Sequence, residues 1–193
     1  MRVPDLPWPL PHRSDLRDEL VAAYGTGRGY HDLRHLTEVL ERLDELGWGH
    51  DVEVVLAAWF HDAVYDGGAD LEERSALLAR ARLTGEDVDV DEVVRLVRLT
   101  ADHRPAADDR RGQALVDADL AILAAAPSRY DEYRRAVRTE YAHVPDPDFR
   151  TGRRTVLQDL AGRERLFHTA LGHDRWDTAA RENLAREIAE LSD

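Results

Sequence analysis

The sequence predicts an all-α protein, a single-domain helical bundle of about eight to nine helices over residues 13–193 behind a Pro-rich extended segment at 1–12. Three observations lead there. Apolar residues recur at helical spacing in stretches of helical length. Gly and Pro separate those stretches, notably at Gly47, Gly67, Gly85, Pro105, Gly112, Pro127, Pro145, Pro147 and Gly172. No stretch alternates as a strand does, and no internal repeat or low-complexity linker divides the chain.

The elements follow in order. Pro4, Pro7, Pro9 and Pro11 keep the lead-in extended, with Leu6, Trp8 and Leu10 free to pack on the body. Ser14 serves as N-cap for a helix to Tyr24, broken by Gly25, Gly27 and Gly29. A long amphipathic helix covers 30–46 and is closed by Gly47 and Gly49. Asp51 starts a strongly apolar helix that runs to Tyr65. Further helices are expected at 70–84, 90–103, 113–125, 128–143, 148–171 and 175–191.

Composition narrows the chemistry. The 193 residues suit one domain with a real core. Lys plus Arg is 26 and Asp plus Glu is 39, a net charge of −13, which repels phosphate backbones and argues against a nucleic acid polymer as partner. Cys is absent, which excludes disulfides, thiolate nucleophiles and Cys-bound zinc. Lys is absent too, which removes Schiff-base chemistry and the P-loop lysine. No segment reads as a targeting signal or as a membrane span, so the expected location is the cytoplasm with no membrane partner. Nine His remain as the first place to look for chemistry.

Ionisable residues that helical geometry forces inward are informative, because a lone buried charge is very costly. At about 100° per residue, Leu115, Val116, Ile122 and Leu123 lie within about 60° of Asp119, whereas Asp117 lies about 160° away, toward solvent. His61 and Asp62 sit in a helix that is otherwise apolar nearly all round, the mark of a central helix, and Asp66 falls one turn after Asp62 on the same side. His35 stands at the edge of the apolar face of the 30–46 helix and reaches inward, while His31 suits a cavity mouth. His103 shares a face with Val93, Leu96, Leu99 and Thr100. Each residue alone is also readable as a satisfied core or surface group, Asp119 more readily so than not, although a structural His61–Asp62 pair is an uncommon way to fill a core. Together they offer two imidazoles and two carboxylates, a mixed N/O set for a divalent cation such as Mn, Fe, Co, Ni or Zn, and less naturally Mg. Three or four protein ligands leave room for water, as a catalytic metal site requires.

His35, then His61-Asp62, then Asp119 resembles the H…HD…D signature of the HD-domain superfamily of metal-dependent phosphohydrolases. The strings Tyr30-His31-Asp32-Leu33-Arg34-His35-Leu36, Trp59-Phe60-His61-Asp62-Ala63-Val64-Tyr65, Glu72-Glu73-Arg74-Ser75-Ala76 and 146–154 are similar to one bacterial branch of that superfamily, and the similarity runs from about residue 28 to 170. The resemblance implies an HD-type helical bundle with a metal held by His35, His61, Asp62 and Asp119. It implies hydrolysis of a phosphate ester or anhydride in a small phosphorylated metabolite, often a nucleotide. In that scheme Asp62 belongs to the catalytic group, and Asp66, Glu72 or Glu73 handles the proton. His31 and His103 contact substrate, His103 having a second metal as its other role. Arg150, Arg153 and Arg154 hold phosphate by forked hydrogen bonds, or simply form a solvated helix face. The chain departs from two patterns within the superfamily: Tyr65 stands where the guanosine-tetraphosphate hydrolases and the nucleotidases carry Glu, and Leu71 replaces an Asn of the related branch.

Two other classes fit the same residues: a non-catalytic metal- and ligand-binding regulatory protein, and a di-iron oxygenase that recruits His103. Trp8, Trp48 and Trp176 serve either a homodimer contact or the core, and the sequence leaves that open.

Overall fold

A computed structural model describes residues 6–25 and 27–192. Residues 1–5, including Pro4 of the extended lead-in, lie outside the described residues. Among the described residues the chain forms nine α-helices and one 3₁₀ turn, with no strand, so the fold is all-α. The helices are α1 Ser14–Tyr24, α2 Leu33–Glu45, α3 Val52–Phe60, α4 Leu71–Leu83, α5 Val90–Leu99, α6 Arg110–Leu120, α7 Pro127–Glu140, α8 Asp146–Gly162 and α9 Ala170–Glu190, and the 3₁₀ turn is Ala121–Ala124. No helix is long and apolar enough to cross a membrane among the described residues.

Side-chain caps fix several of the starts. Asp32 accepts from the amides of Arg34 and His35, so α2 begins at Leu33 rather than at residue 30 and His31 precedes the helix. Asp51, Asp89, Asp109 and Thr169 cap α3, α5, α6 and α9 in the same way. Ser14 is not a cap; Arg13 holds that position without a side-chain bond.

Several helices end before their apolar pattern predicts. α3 stops at Phe60 rather than Tyr65. The His61 ring takes the Ala58 carbonyl through Nδ1 at 2.7 Å, the acceptor that Asp62 N–H would use in a continuing helix. α5 stops at Leu99, and His103 adopts a left-handed φ of 54° in the turn beyond. α8 stops at Gly162 because Arg163 is extended and its guanidinium donates to the carbonyls of Asp102 and His103. The stretch that reads as its last turns is a loop that drives Leu166 and Phe167 fully into the core.

The helices build two apolar clusters. The first gathers α1 to α5 with Ala114, Leu115 and Ala118 of α6. The second gathers Tyr30, the 3₁₀ turn and α7 to α9 with Val116 and Leu120 of α6. Helix α6 is therefore buried on two sides and forms the seam between the clusters. The lead-in joins the first: Leu10 is buried, Trp8 meets Trp59 edge-on at 5.1 Å, and Trp59 Nε1 donates to the Pro7 carbonyl at 2.8 Å. Trp176 packs edge-on against Phe167 in the second cluster and Trp48 lies against the first, so both contribute to the cores.

Candidate metal centre

At the seam, three backbone elements aim ionisable side chains at one point. His35 comes from the first turn of α2, His61 and Asp62 from the end of α3, and Asp119 from the last turn of α6. His35, His61 and Asp62 are all buried, and their ligand atoms lie within 4.8 Å of one another. His35 Nε2 stands 3.1 Å from His61 Nε2 and 3.5 Å from Asp62 Oδ2. His61 Nε2 is 3.0 Å from Asp62 Oδ2. Asp119 Oδ1 completes the group at 3.1 Å from His35 Nε2 and 3.7 Å from His61 Nε2.

These residues fit a divalent cation. For bonds of about 2.1 Å, adjacent ligand atoms lie about 3.0 Å apart in an octahedron and about 3.4 Å apart in a tetrahedron; three of the separations here, at 3.0–3.1 Å, fall in that range and two, at 3.5 and 3.7 Å, lie just above it. Asp62 Oδ2 is buried without an aligned hydrogen bond despite its neighbours, a lone pair in need of a partner. The Nδ1–H of His61 is spent on Ala58 O at 2.7 Å, which turns the Nε2 lone pair toward the centre. Two imidazoles and two carboxylates make a donor set suited to transition metals.

Electrostatics inside the group are strongly coupled. Burial opposes the His35 imidazolium, yet hydrogen bonds and charge from Asp119 and Asp62 push it up to about 10. Burial works the same way on His61, and Asp62 and Asp119 raise it in turn. Burial also resists ionisation of Asp62 and Asp119, but the facing histidines hold both carboxyls well below the usual range.

A surrounding set of bonds fixes the ligands. His103 Nε2 lies 2.8 Å from Asp119 Oδ2 and steers the other oxygen inward. Glu140 of α7 accepts the amides of Gly29, Tyr30 and His31 on Oε1 at 2.8–3.0 Å and holds His31 Nδ1 with Oε2 at 2.8 Å. His31 also stacks on Tyr65 with ring centres 4.4 Å apart. Arg28 donates to the carbonyls of His31 and Asp62 at 2.8 and 2.7 Å and to Ala63 O at 3.0 Å, tying the lead-in of α2 to the end of α3. The Tyr24 hydroxyl accepts Asp62 N–H at 3.3 Å. Glu140 and Arg28 carry no local signal in the sequence; apart from the His31 carbonyl bound by Arg28, their partners are remote along the chain.

The other residues singled out from the sequence divide clearly. His31, Glu72, His103 and Arg153 line, with Asp119, a cleft of about 840 Å³ beside the cluster. Arg153 is held there by Glu187 at 2.9 and 3.2 Å and lies over the Tyr133 ring. Asp66 does not fall one turn beyond Asp62, because α3 has ended; it is exposed and doubly bonded to Arg74, which keeps it ionised well below the usual carboxylate range. Glu73 pairs with Arg98 on the outer surface. Arg150 reaches the Glu190 carbonyl in a separate hollow between α7, α8 and α9.

Asp117 corrects the helical-wheel expectation. It is fully buried, not solvent-facing. Its carboxylate accepts the amides of His168 and Thr169 at 2.8 Å each and the Thr169 hydroxyl at 2.7 Å, anchoring the start of α9. A Cβ on Gly172 would meet Asp117 Oδ2 at 2.6 Å, so glycine there allows the close approach rather than marking a joint. A wheel with one core gave the wrong answer because α6 has a core on each side.

No protein-family model, curated protein or solved structure matches the chain.

Proposed function

We propose that the protein is an HD-type, metal-dependent hydrolase that cleaves a phosphate ester or anhydride of a small phosphorylated metabolite. The observation that carries this reading is the convergence of His35 Nε2, His61 Nε2, Asp62 Oδ2 and Asp119 Oδ1 at 3.0–3.7 Å beside a cleft that Asp119 itself lines. His35, His61, Asp62 and Asp119 would hold a divalent cation, which would supply Lewis acidity toward water and a phosphoryl group.

The chain's own groups do the rest. Ala58 O and the Asp119 carboxylate orient the His61 and His103 rings. His31, braced by Glu140 at the cleft wall, is placed to pass a proton to a leaving oxygen. Asp66 and Glu73 are locked in outer ion pairs and are not assigned the proton. Of Asp66, Glu72 and Glu73, Glu72 is the one that lines the cleft.

The test is phosphate release from nucleotides, sugar phosphates and simple phosphomonoesters with Mn, Co, Ni or Mg supplied in turn. Turnover that His61→Ala abolishes supports the reading. A metal-loaded protein with no turnover above that variant on any ester returns the site to a binding or regulatory role.

A further inference from the structure

The cleft beside the cluster is a mostly carbon-walled space, and its chemistry restricts what lies in it. Helix α8 contributes Phe149, Val156 and Leu160, and the 3₁₀ region contributes Leu120, Ile122 and Leu123. Val137, Tyr141 and Val144 continue the apolar wall around the α7–α8 turn. Tyr141 and Val156 are 42% and 53% exposed, two of the three large hydrophobic residues left open to solvent among the described residues. Exposed apolar surface gathered in a concave site marks a place where something apolar binds.

The polar part of the wall does not suit a nucleotide. None of the described residues lining the cleft is Asn or Gln, the amide side chains that commonly read nucleobase edges. Nor is there a row of free cations for a polyphosphate. Arg153 is neutralised by Glu187, and Arg104 and Arg163 share Asp159. Glu72, Asp102 and Asp148 add negative charge. The volume of about 840 Å³ is that of a small-molecule site rather than a protein-docking surface.

We infer that the cleft binds a phosphomonoester with a hydrophobic body, an alkyl, prenyl or aryl phosphate, with its phosphate toward Asp119 and His103 and its carbon chain along Ile122, Val156 and Phe149. This rests on the phosphohydrolase reading for the position of the phosphate, but the hydrophobic preference is measured independently of turnover.

The experiment titrates metal-loaded protein with non-hydrolysable n-alkyl phosphonates of four, six and eight carbons. Each methylene that is fully buried tightens binding about fourfold; with one side of the cleft open, a gain of at least about tenfold from butyl to octyl is expected. Val156→Glu, at an exposed position that the fold does not need, flattens the series, whereas Leu77→Glu, similarly exposed but outside the cleft, leaves the series unchanged. Equal affinity along the series in the unaltered protein, or a chain-length gain that survives Val156→Glu, overturns the inference. A parallel assay of the matching alkyl phosphates separates the two readings. Chain-length-dependent binding without phosphate release upholds the hydrophobic site and removes the hydrolase reading. Nucleotide hydrolysis with a flat phosphonate series does the reverse.

Discussion

Replacing Asp117 by Ala removes the acceptor that ties α9 to α6, and the loss can be sized from the contacts. Three donors converge on this carboxylate: the amides of His168 and Thr169 and the Thr169 hydroxyl. The hydroxyl can turn to another acceptor, but the two amides cannot. A buried donor left unpaired costs about 1–3 kcal/mol. His168 and Thr169 are themselves only half-buried, so water reaches them in part and the lower half of that range applies, giving about 3 kcal/mol in total. For a chain of 193 residues this lowers the melting temperature by about 6–12 °C. Asn is little better, since its amide group would face the amide donors. The sister substitution Asp119→Ala, two positions along the same helix, is expected to lower metal affinity at least about a hundredfold, while Asp117→Ala leaves that affinity within about threefold of the unaltered protein. Thermal melts of the metal-free proteins and calorimetric titration with Mn read the two effects separately. A melting shift under about 3 °C for Asp117→Ala, or a loss of metal binding in that variant as large as in Asp119→Ala, refutes the division of roles between the two carboxylates.

The remaining expectations concern protons and the frame around the cluster. His35 is raised from 6.5 to about 10 in the metal-free protein. Its contribution to stability is therefore complete below the unfolded value and fades as pH climbs through about 10. Because a metal takes the neutral ring, each ion bound at neutral pH expels at least one proton, and affinity rises by up to about tenfold per pH unit below that value; titrations in buffers of different ionisation enthalpy count the protons, and none released disproves the assignment. Glu140→Ala strands three backbone amides and the His31 ring, with an expected loss of about 2–4 kcal/mol in chemical denaturation; a loss under about 1 kcal/mol contradicts its anchoring role. Arg28→Ala frees the carbonyls of His31, Asp62 and Ala63 and is expected to weaken metal binding about tenfold, with unchanged affinity as the contrary result.

Much of this arrangement is visible in the sequence because it follows from periodicity. The apolar stripe of α2 puts His35 on its buried side, and the nearly all-apolar run 52–60 announces a central helix with His61 and Asp62 at its end. Asp119 is found by the same wheel that misplaces Asp117, and the difference lies in packing. A wheel assumes one buried face, whereas α6 buries Ala114 and Ala118 in one cluster and Val116 and Leu120 in the other. The end of α3 is hidden for another reason: the competitor for its last helical bond is a histidine ring, and ring-to-carbonyl bonds leave no trace in hydrophobic spacing. Glu140 and Arg28 sit in sequence as ordinary charged residues. Their roles depend on contacts separated by 109 to 111 and by up to 35 positions, which no local pattern encodes.

The location of the cluster follows from that two-sided packing. Four ionisable groups in the middle of one apolar core would each forfeit hydration with nothing to balance it. At a seam, each cluster of apolar residues stays intact on its own side, and the polar groups face one another across the junction. α6 carries one carboxylate to each job: Asp117 turns toward the loop that starts α9, and Asp119 turns toward His35, His61 and His103. The same seam meets the cleft at Asp119, which lines it together with His31 and His103, while His35, His61 and Asp62 stay buried behind it. Two imidazole Nε2 atoms facing each other 3.1 Å apart, with carboxylate oxygens beside them, form a donor set that a divalent cation fits.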